Sequence, residues 1–501
     1  MKVKLPHEFF IYASKFTTPS MLFGVCYFSY ELHKKPGKLN PLGGYKSFSV
    51  KVNGKTINGR FQLVQTWLVD MLYELIQYNS TGKKIITKDE CLYLISLYND
   101  YQNSLDKKHF NHENIFMYLY GFYGEQKRFQ NIGILMENFS REKYMLEVIS
   151  KKNHPKNTKK VNFQKEFYEY TGMTPSKYSF SLFALYVFFL NYGPFIDNNK
   201  NSLSRFDTNG IDVEAILKIL DSISITPEDA RKNYMKRQVF YSYPILRLGK
   251  EYLCTNISLL LFLFENSNYW VMRNKYFQKK SQTFISEFGR YFEIYVEEIL
   301  EKCLLKNEFS AIEETSKGKR ADWHIHIGDF DFLVEQKSSI SMLNIKQNHP
   351  DLKEMGKYIT KTWGEAVRQL SETEKALNID NAIKIILLYE DYYAGQCLDE
   401  LFRLDETLEN DGRYWLINIR EFEMLLDTYK NNPMEFDKII KEKLMDDSSL
   451  SSSGHDVESI LNNHNIFINN YLISNGIGEY ARKEFKNYGD LFGEDESQTE
   501  G

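Results

Sequence analysis

The sequence predicts an α+β chain, with a mainly helical first half carrying short β-hairpins and an αβββαβ core in the C-terminal half. Two observations predict the core. Between about Gln278 and Lys430 a helix, a short strand, a hairpin, a helix and a strongly apolar strand follow one another. Within that run, "RADWHIHIGDFDFLVEQKSS" (Arg320–Ser339) alternates apolar and polar residues on both sides of Gly328-Asp329, the period of a two-stranded ladder. A third observation predicts the first half: apolar residues recur there at helical spacing, interrupted by turn signals.

"FSVKVNGKTING" alternates around Asn53-Gly54, a dipeptide suited to a type I′ hairpin turn. "RFQLVQTWLVDMLYELIQ" reads as the helix after it, and Thr87 with Glu90 forms a capping box opening "CLYLISLYNDY". Further helices are expected around Glu113–Tyr123, Gln164–Tyr170 and Ser179–Leu190, and another after Thr226-Pro227. "ILRLGKEYLC" reads as a second hairpin and "NISLLLFLFENSNYWVMRN" as a helix. In the core come the helix "SEFGRYFEIYVEEIL", the strand "EFSAIEE", the hairpin, the helix "WGEAVRQLSETEKAL" and the strand "AIKIILLY". "YWLINI" then reads as a strand and "REFEMLLDTY" as a helix.

These elements divide into a helical region at 1–275, with a basic loop at 150–162 as an internal boundary, a core at 276–432, and a tail at 433–501. The tail comprises a helical extension, the Ser-rich stretch "MDDSSLSSSGHD" and an acidic end, "GEDESQTEG". With 501 residues and 43% hydrophobic content the chain can bury more than one core. The formal charge of −4 announces no nucleic-acid binder, and local patches decide that question. Five scattered cysteines (Cys26, Cys91, Cys254, Cys303, Cys397) argue against a disulfide framework and a zinc knuckle. The start lacks a continuous apolar stretch, and the greasiest runs fall short of the roughly 20 residues of a membrane span, so a reduced cytoplasmic protein is expected.

The hairpin carries the chemistry. Gly328 at the first central position suits a type II′ turn, which pairs Ile327 with Phe330, Ile325 with Phe332 and Trp323 with Val334. That face is wholly apolar. The opposite face carries Asp322, His324, His326, Asp331, Leu333, Glu335 and Lys337, and counting outward places Asp322 across from Glu335. Opposed residues have Cβ atoms roughly 5 Å apart, so two carboxylates there repel unless a cation lies between them. A divalent ion with oxygen ligands is the natural partner. The tripeptide "EQK" also occurs at Glu125–Lys127 without a facing Asp, so the motif has weight only through its place at a strand end.

In this succession of elements, Asp322 followed by Glu335-Gln336-Lys337 resembles the PD-(D/E)xK nuclease superfamily, whose members include restriction endonucleases, junction resolvases and repair nucleases. Ala321 stands where that signature has proline. The resemblance covers about 150 residues from Gln278 and adds a glutamate on the preceding helix. Phe288, Phe292, Tyr295 and Ile299 form the apolar stripe of that helix; Glu293 lies at its edge beside Gly289, while Glu297 is expected to face solvent. Glu293 is therefore the chosen residue.

The resemblance implies a restriction-endonuclease-like fold that hydrolyses DNA, duplex rather than single-stranded, leaving a 5′-phosphate. It implies Mg²⁺, with Mn²⁺ able to substitute, held by Asp322, Glu335 and the main-chain carbonyl of Gln336, with Glu293 assisting. Lys337 would position the attacking water, and Gln369 matches a helix glutamine of some branches. Lys317, Lys319, Arg320 and Lys346 are the expected nucleic-acid contacts. A stand-alone chain of this build suggests a restriction or anti-phage defence effector, with repair or recombination as the other nuclease role.

Other readings stay open at the level of sequence. His324 and His326 with Asp322 and Asp331 allow a transition-metal hydrolase. A binding module that keeps the fold, or an interaction protein whose helical half does the work, would also suit the pattern. "NGKT" at Asn53–Thr56 lacks the leading Gly of a phosphate loop, so an energy source would come from a companion ATPase; a companion protein or a second copy of the chain is equally open.

Overall fold

The computed structural model describes residues 7–484 apart from 35–42, most of 110–131, 198–199, 209, 234–237, 314–319, 342, 347–349, 391–397 and 449–455. The chain is mixed α/β. The helix expected at Glu113–Tyr123 falls almost wholly outside the described residues, as do the Ser-rich stretch, the acidic end and Cys397.

After a short helix at His7–Ala13, the first half has α1 (Thr18–Lys34) and then the hairpin of β1 (Gly43–Val52) and β2 (Lys55–Val64). Asn53 and Gly54 both take positive φ, as a type I′ turn requires. "NGKT" is therefore a hairpin turn. The strand runs through "RFQLV", and the helix expected there starts later, as α2 (Gln65–Tyr78). β-Branched and aromatic residues paired across the ladder outweigh the helical spacing in that stretch. The Thr87–Glu90 capping box forms as expected, Thr87 N–H donating to Glu90 Oε2 at 3.0 Å. Then comes α3 (Ile132–Glu147). β3 (Phe195–Asp197), β4 (Ser224–Ile225), β5 (Ile245–Leu248) and β6 (Glu251–Cys254) make a sheet in the order β3-β6-β5-β4, with β5 and β6 the expected second hairpin. The long helix expected after it is broken at Asn266 into Ile257–Glu265 and Ser267–Gln278.

The second half is built on α4 (Thr283–Cys303), β7 (Phe309–Ala311), β8 (Trp323–Ile327), β9 (Phe330–Lys337), α5 (Gly364–Leu377), β10 (Ile383–Leu388), β11 (Tyr414–Asn418) and α6 (Ile419–Asn431). The five strands form one mixed sheet in the order β11-β10-β9-β8-β7; β10 is parallel to both neighbours, and the other two pairs are antiparallel. The sheet is covered on both faces. Phe332, Val334, Ile385 and Leu387 pack against Phe288, Phe292, Tyr295 and Ile299 of α4. Leu333, Ile386 and Leu388 pack against Ala366, Val367 and Leu370 of α5. β10 is buried along its whole length, which explains its five apolar residues in six; the exception, Lys384, is paired with Glu374 and Asp411.

One apolar cluster runs from Leu135 to Ile477 and so crosses the boundaries expected at 275 and 432. At its centre Arg141 of α3, fully buried, makes a bidentate pair with Glu423 of α6, both bonds at 2.7 Å, and Tyr295 of α4 donates to the same carboxylate at 2.7 Å. Removing one partner of such a pair leaves a charge in a low-dielectric interior, a loss of about 3–5 kcal/mol. A second polar node joins the first sheet region to this body: Asn256 donates to Ser29 Oγ of α1 at 2.9 Å and to Gln65 Oε1 of α2 at 2.7 Å. The four described cysteines are buried free thiols. No helix among the described residues is long and apolar enough to cross a membrane.

The helical extension is α7 (Pro433–Asp447) with α8 (Val457–Asn463) beside it. His464 clamps the two, its Nδ1 at 2.5 Å from Glu435 and its Nε2 at 2.8 Å from Glu442. The hydrogen bond to Glu435 leads in raising the imidazole above its ordinary value, against a smaller effect of desolvation. Its contribution to stability is therefore complete below the unfolded value of about 6.5 and lost as pH rises through the higher folded value. Chemical denaturation between pH 6 and 9 should show this loss in the native protein, on the order of 0.3–1 kcal/mol for a clamp at the surface. In His464→Asn that part of the pH dependence should vanish.

Candidate active site

The hairpin register is the one the alternation predicts. Gly328 has φ +58°, a conformation that disfavours any side chain there, and the ladder pairs Ile327 with Phe330, Ile325 with Phe332 and Trp323 with Val334. The next pair does not form. Asp322 N–H donates to the carbonyl of Val334 at 2.9 Å, so Asp322 and Trp323 share one partner residue, as in a β-bulge. The bulge re-aims the Asp322 side chain: instead of standing across from Glu335, its Oδ2 accepts the Gln336 N–H at 2.8 Å. Asp322 is also held from behind, where its carbonyl accepts Ile312 N–H at 3.0 Å.

Glu335 and Lys337, two apart on β9, share a face. Lys337 Nζ donates to Glu335 Oε1 at 2.6 Å and to Gln369 Oε1 of α5 at 3.1 Å. The expected residues Asp322, Glu335, Gln336, Lys337 and Gln369 are thus brought together. One turn beyond Gln369, Thr373 adds a contact that the sequence did not signal. Its hydroxyl accepts the N–H of Ala321 at 2.9 Å and donates to the Gln369 carbonyl at 2.6 Å, tying the residue before Asp322 to the helix that carries Gln369.

Glu293 stands at the rim. α4 passes close to the end of β9 at Gly289, where an added Cβ would lie 3.2 Å from Ser338 Oγ, and Glu293 one turn on is half-buried. Burial pushes the Asp322 carboxyl well above the usual carboxylate range; the charges of Glu335 and then Glu293 add to this, while the Gln336 N–H and Lys337 pull it back. The three carboxylates therefore act on one another electrostatically.

The polar face of α4 departs from expectation. Glu297 does not face solvent, because the loop 149–160 lies along the helix: Lys152 pairs with Glu298, His154 Nε2 lies 3.4 Å from Glu297, Lys156 Nζ lies 3.5 Å from Glu293, and Thr158 donates to Glu287. The basic loop expected as an internal boundary covers an acidic helix face.

The expected nucleic-acid contacts fare differently. Lys317 and Lys319 lie outside the described residues. Arg320 is largely buried and pairs with Glu372 at 3.3 Å. Lys346 is a correction: it is 4% exposed and ion-paired with Glu390, which also accepts the N–H and hydroxyl of Ser341, so it fastens the loop after β9 and presents no charge to a ligand. Glu125 of the other "EQK" accepts the Tyr241 hydroxyl at 2.5 Å deep in the protein.

His324 and His326 form a separate group. Both rings lie against one oxygen of Asp331, at 2.8 and 3.0 Å. Burial pushes the Asp331 carboxyl up, but the two imidazoles outweigh it and hold the carboxyl below its ordinary value. Among the described residues no three His, Cys, Asp or Glu side chains stand together as a ready metal cage. The donors at the hairpin end are two carboxylates, with a third at the rim. An all-oxygen set of that size suits Mg²⁺ or Mn²⁺, which keep several waters, better than Zn²⁺, and the repulsion felt by Asp322 is what a divalent cation relieves. No family model, curated protein or solved structure matches the chain.

These electrostatics predict a trade-off. Asp322→Asn keeps an acceptor for the Gln336 N–H but removes a buried charge set against Glu335 and Glu293. Near pH 8 in EDTA the variant should melt at a higher temperature than the native protein. Equal or lower stability in a correctly folded variant would show that the carboxylate is not strained.

Proposed function

We propose that the chain is a metal-dependent deoxyribonuclease of the PD-(D/E)xK kind, with α4 through β10 as a restriction-endonuclease-like core acting on duplex DNA. The observation that carries the proposal is the convergence at one strand end of Asp322, Glu335 and Lys337, with Gln369 holding the lysine from α5. A hairpin with a merely solvated polar face has no need to bury two carboxylates and support the lysine beside them from a second element.

In this reading Asp322, Glu335 and the Gln336 carbonyl would hold Mg²⁺, with Glu293 assisting from the rim; the ion would supply Lewis-acid polarisation of a phosphoryl oxygen and a bound water of lowered pKa. The protein positions and balances charge. Lys337, gripped by Glu335 and Gln369, orients the water that attacks phosphorus in line and offsets the charge that develops there. The phosphorus–O3′ bond breaks, the 3′ oxygen leaves as a hydroxyl once protonated, and the other end keeps a 5′-phosphate. Gln336 N–H fixes the Asp322 carboxylate, so the inner ligand is preorganised. The large helical body on this core fits a targeting or regulatory role, as in a restriction or anti-phage defence effector.

Purified protein incubated with supercoiled plasmid, linear duplex or single strands tests the proposal directly. Cutting of duplex is expected with Mg²⁺ or Mn²⁺ and not with EDTA. Asp322→Asn and Lys337→Ala should each lower it by about 100-fold or more while circular dichroism stays unchanged. Cutting that survives either substitution in metal would overturn the assignment.

A further inference from the structure

We infer that Lys156, on the loop 149–160 outside the αβββαβ unit, is a phosphate-contacting residue of the candidate active site, so that the helical first half completes the surface on which the DNA backbone lies. The inference rests on the nuclease reading above.

The loop is rigid at its backbone and selective in its side chains. Asn157, buried, donates to the carbonyls of Ile149, Ser150 and Lys152 at 3.3, 2.8 and 2.9 Å and accepts the Lys159 N–H at 3.2 Å. Lys156 N–H is held on His154 Nδ1 at 3.2 Å. Three polar side chains of the loop are committed to α4: Lys152 to Glu298, His154 to Glu297, Thr158 to Glu287. Lys156 differs. Its ammonium lies 4.8 Å over the ring of Trp323, the residue after Asp322, and 3.5 Å from Glu293, and both members of that pair are 34% exposed. It is thus a cation beside Glu293 at the rim, in a longer pair than that of Lys152 and open to solvent.

Charge and reach assign its use. Asp322 feels the charges of Glu335, Glu293 and Lys337, and Lys156 in turn pairs with Glu293. An exposed ion pair contributes little, whereas a charge-assisted bond to a phosphate oxygen is shorter and stronger. When a DNA strand arrives, Lys156 exchanges Glu293 for a phosphate by side-chain rotation over the Trp323 ring, with its backbone still pinned. Glu293 is released to turn inward.

The test uses the full chain in the Asp322→Asn background, a fluorescein-labelled random-sequence DNA duplex, and anisotropy over a salt series. Lys156→Gln should weaken binding several-fold and lower the slope of log affinity against log salt by about 0.9, one phosphate contact; Lys156→Arg should restore both. Lys152→Gln, a change on the same loop away from the site, should leave the slope unaltered. Equal losses in Lys152→Gln and Lys156→Gln would show that the loop's fold matters and its ammonium does not, and would overturn the inference. An unchanged slope for Lys156→Gln, with native protein still cutting duplex, would overturn it and leave the nuclease reading standing. Tighter binding by Lys156→Gln would mark the residue as a lock on Glu293, also against the inference. If native protein neither cuts nor binds, both readings fall together.

Discussion

A carboxylate buried on a main-chain amide is the constraint around which the second half of the molecule is arranged. Asp322 sits on the N–H of Gln336 because a bulge ends the β8–β9 ladder one residue early. For that geometry to persist, β9 must be pinned in register, Ala321 must be tied down, and the negative charge must be answered. The Gly328 turn does the first, Thr373 of α5 the second, and Lys337 part of the third. What is left unanswered is an excess of negative charge in a desolvated place. Folding alone would not select such an excess, since replacing one carboxylate by an amide relieves it.

The same logic connects the site to the rest of the chain. α4 presents apolar residues to the sheet and glutamates outward, and those glutamates are met by the loop 149–160. Farther along, α3 enters the interior with Arg141 and is held there by Glu423 and the packing around it. The helical first half is therefore packed into the core that carries the site, through a fully buried ion pair and a continuous apolar cluster. A sensing event in the first half would have a short physical route to Glu293, through Lys156.

Much of this was legible in the residues, for reasons that can be named. Two-residue periodicity and a Gly-Asp turn are local signals, so the hairpin, its register and its apolar face could be read directly. The mixed sheet's order of elements was readable because each is short, periodic and bounded by turn residues. The apolar stripe of α4 was readable as helical spacing, and Glu293 lies at its edge. Other features depend on contacts distant in sequence. The bulge at Asp322 is invisible to counting, since it arises where the ladder meets Ile312. Thr373 looks like an ordinary helix residue until Ala321 is brought to it. Lys346 looks basic and exposed until Glu390, 44 positions on, closes over it. The loop 149–160 has a linker's composition, and only the glutamates of α4 reveal it as a cover. The start of α2 was misplaced because strand pairing with β1 overrides an amphipathic helical pattern.

The central claim, that the hairpin-end carboxylates hold a hard divalent cation, is tested most directly by titrating the protein with Mn²⁺ and following free ion by electron paramagnetic resonance. Binding should be lost in Asp322→Asn and in Glu335→Gln, weakened in Glu293→Gln, competed by Mg²⁺, and unaffected by His324→Ala or His326→Ala. Binding that survives the loss of Asp322 and Glu335, or that depends on the histidines, would contradict it.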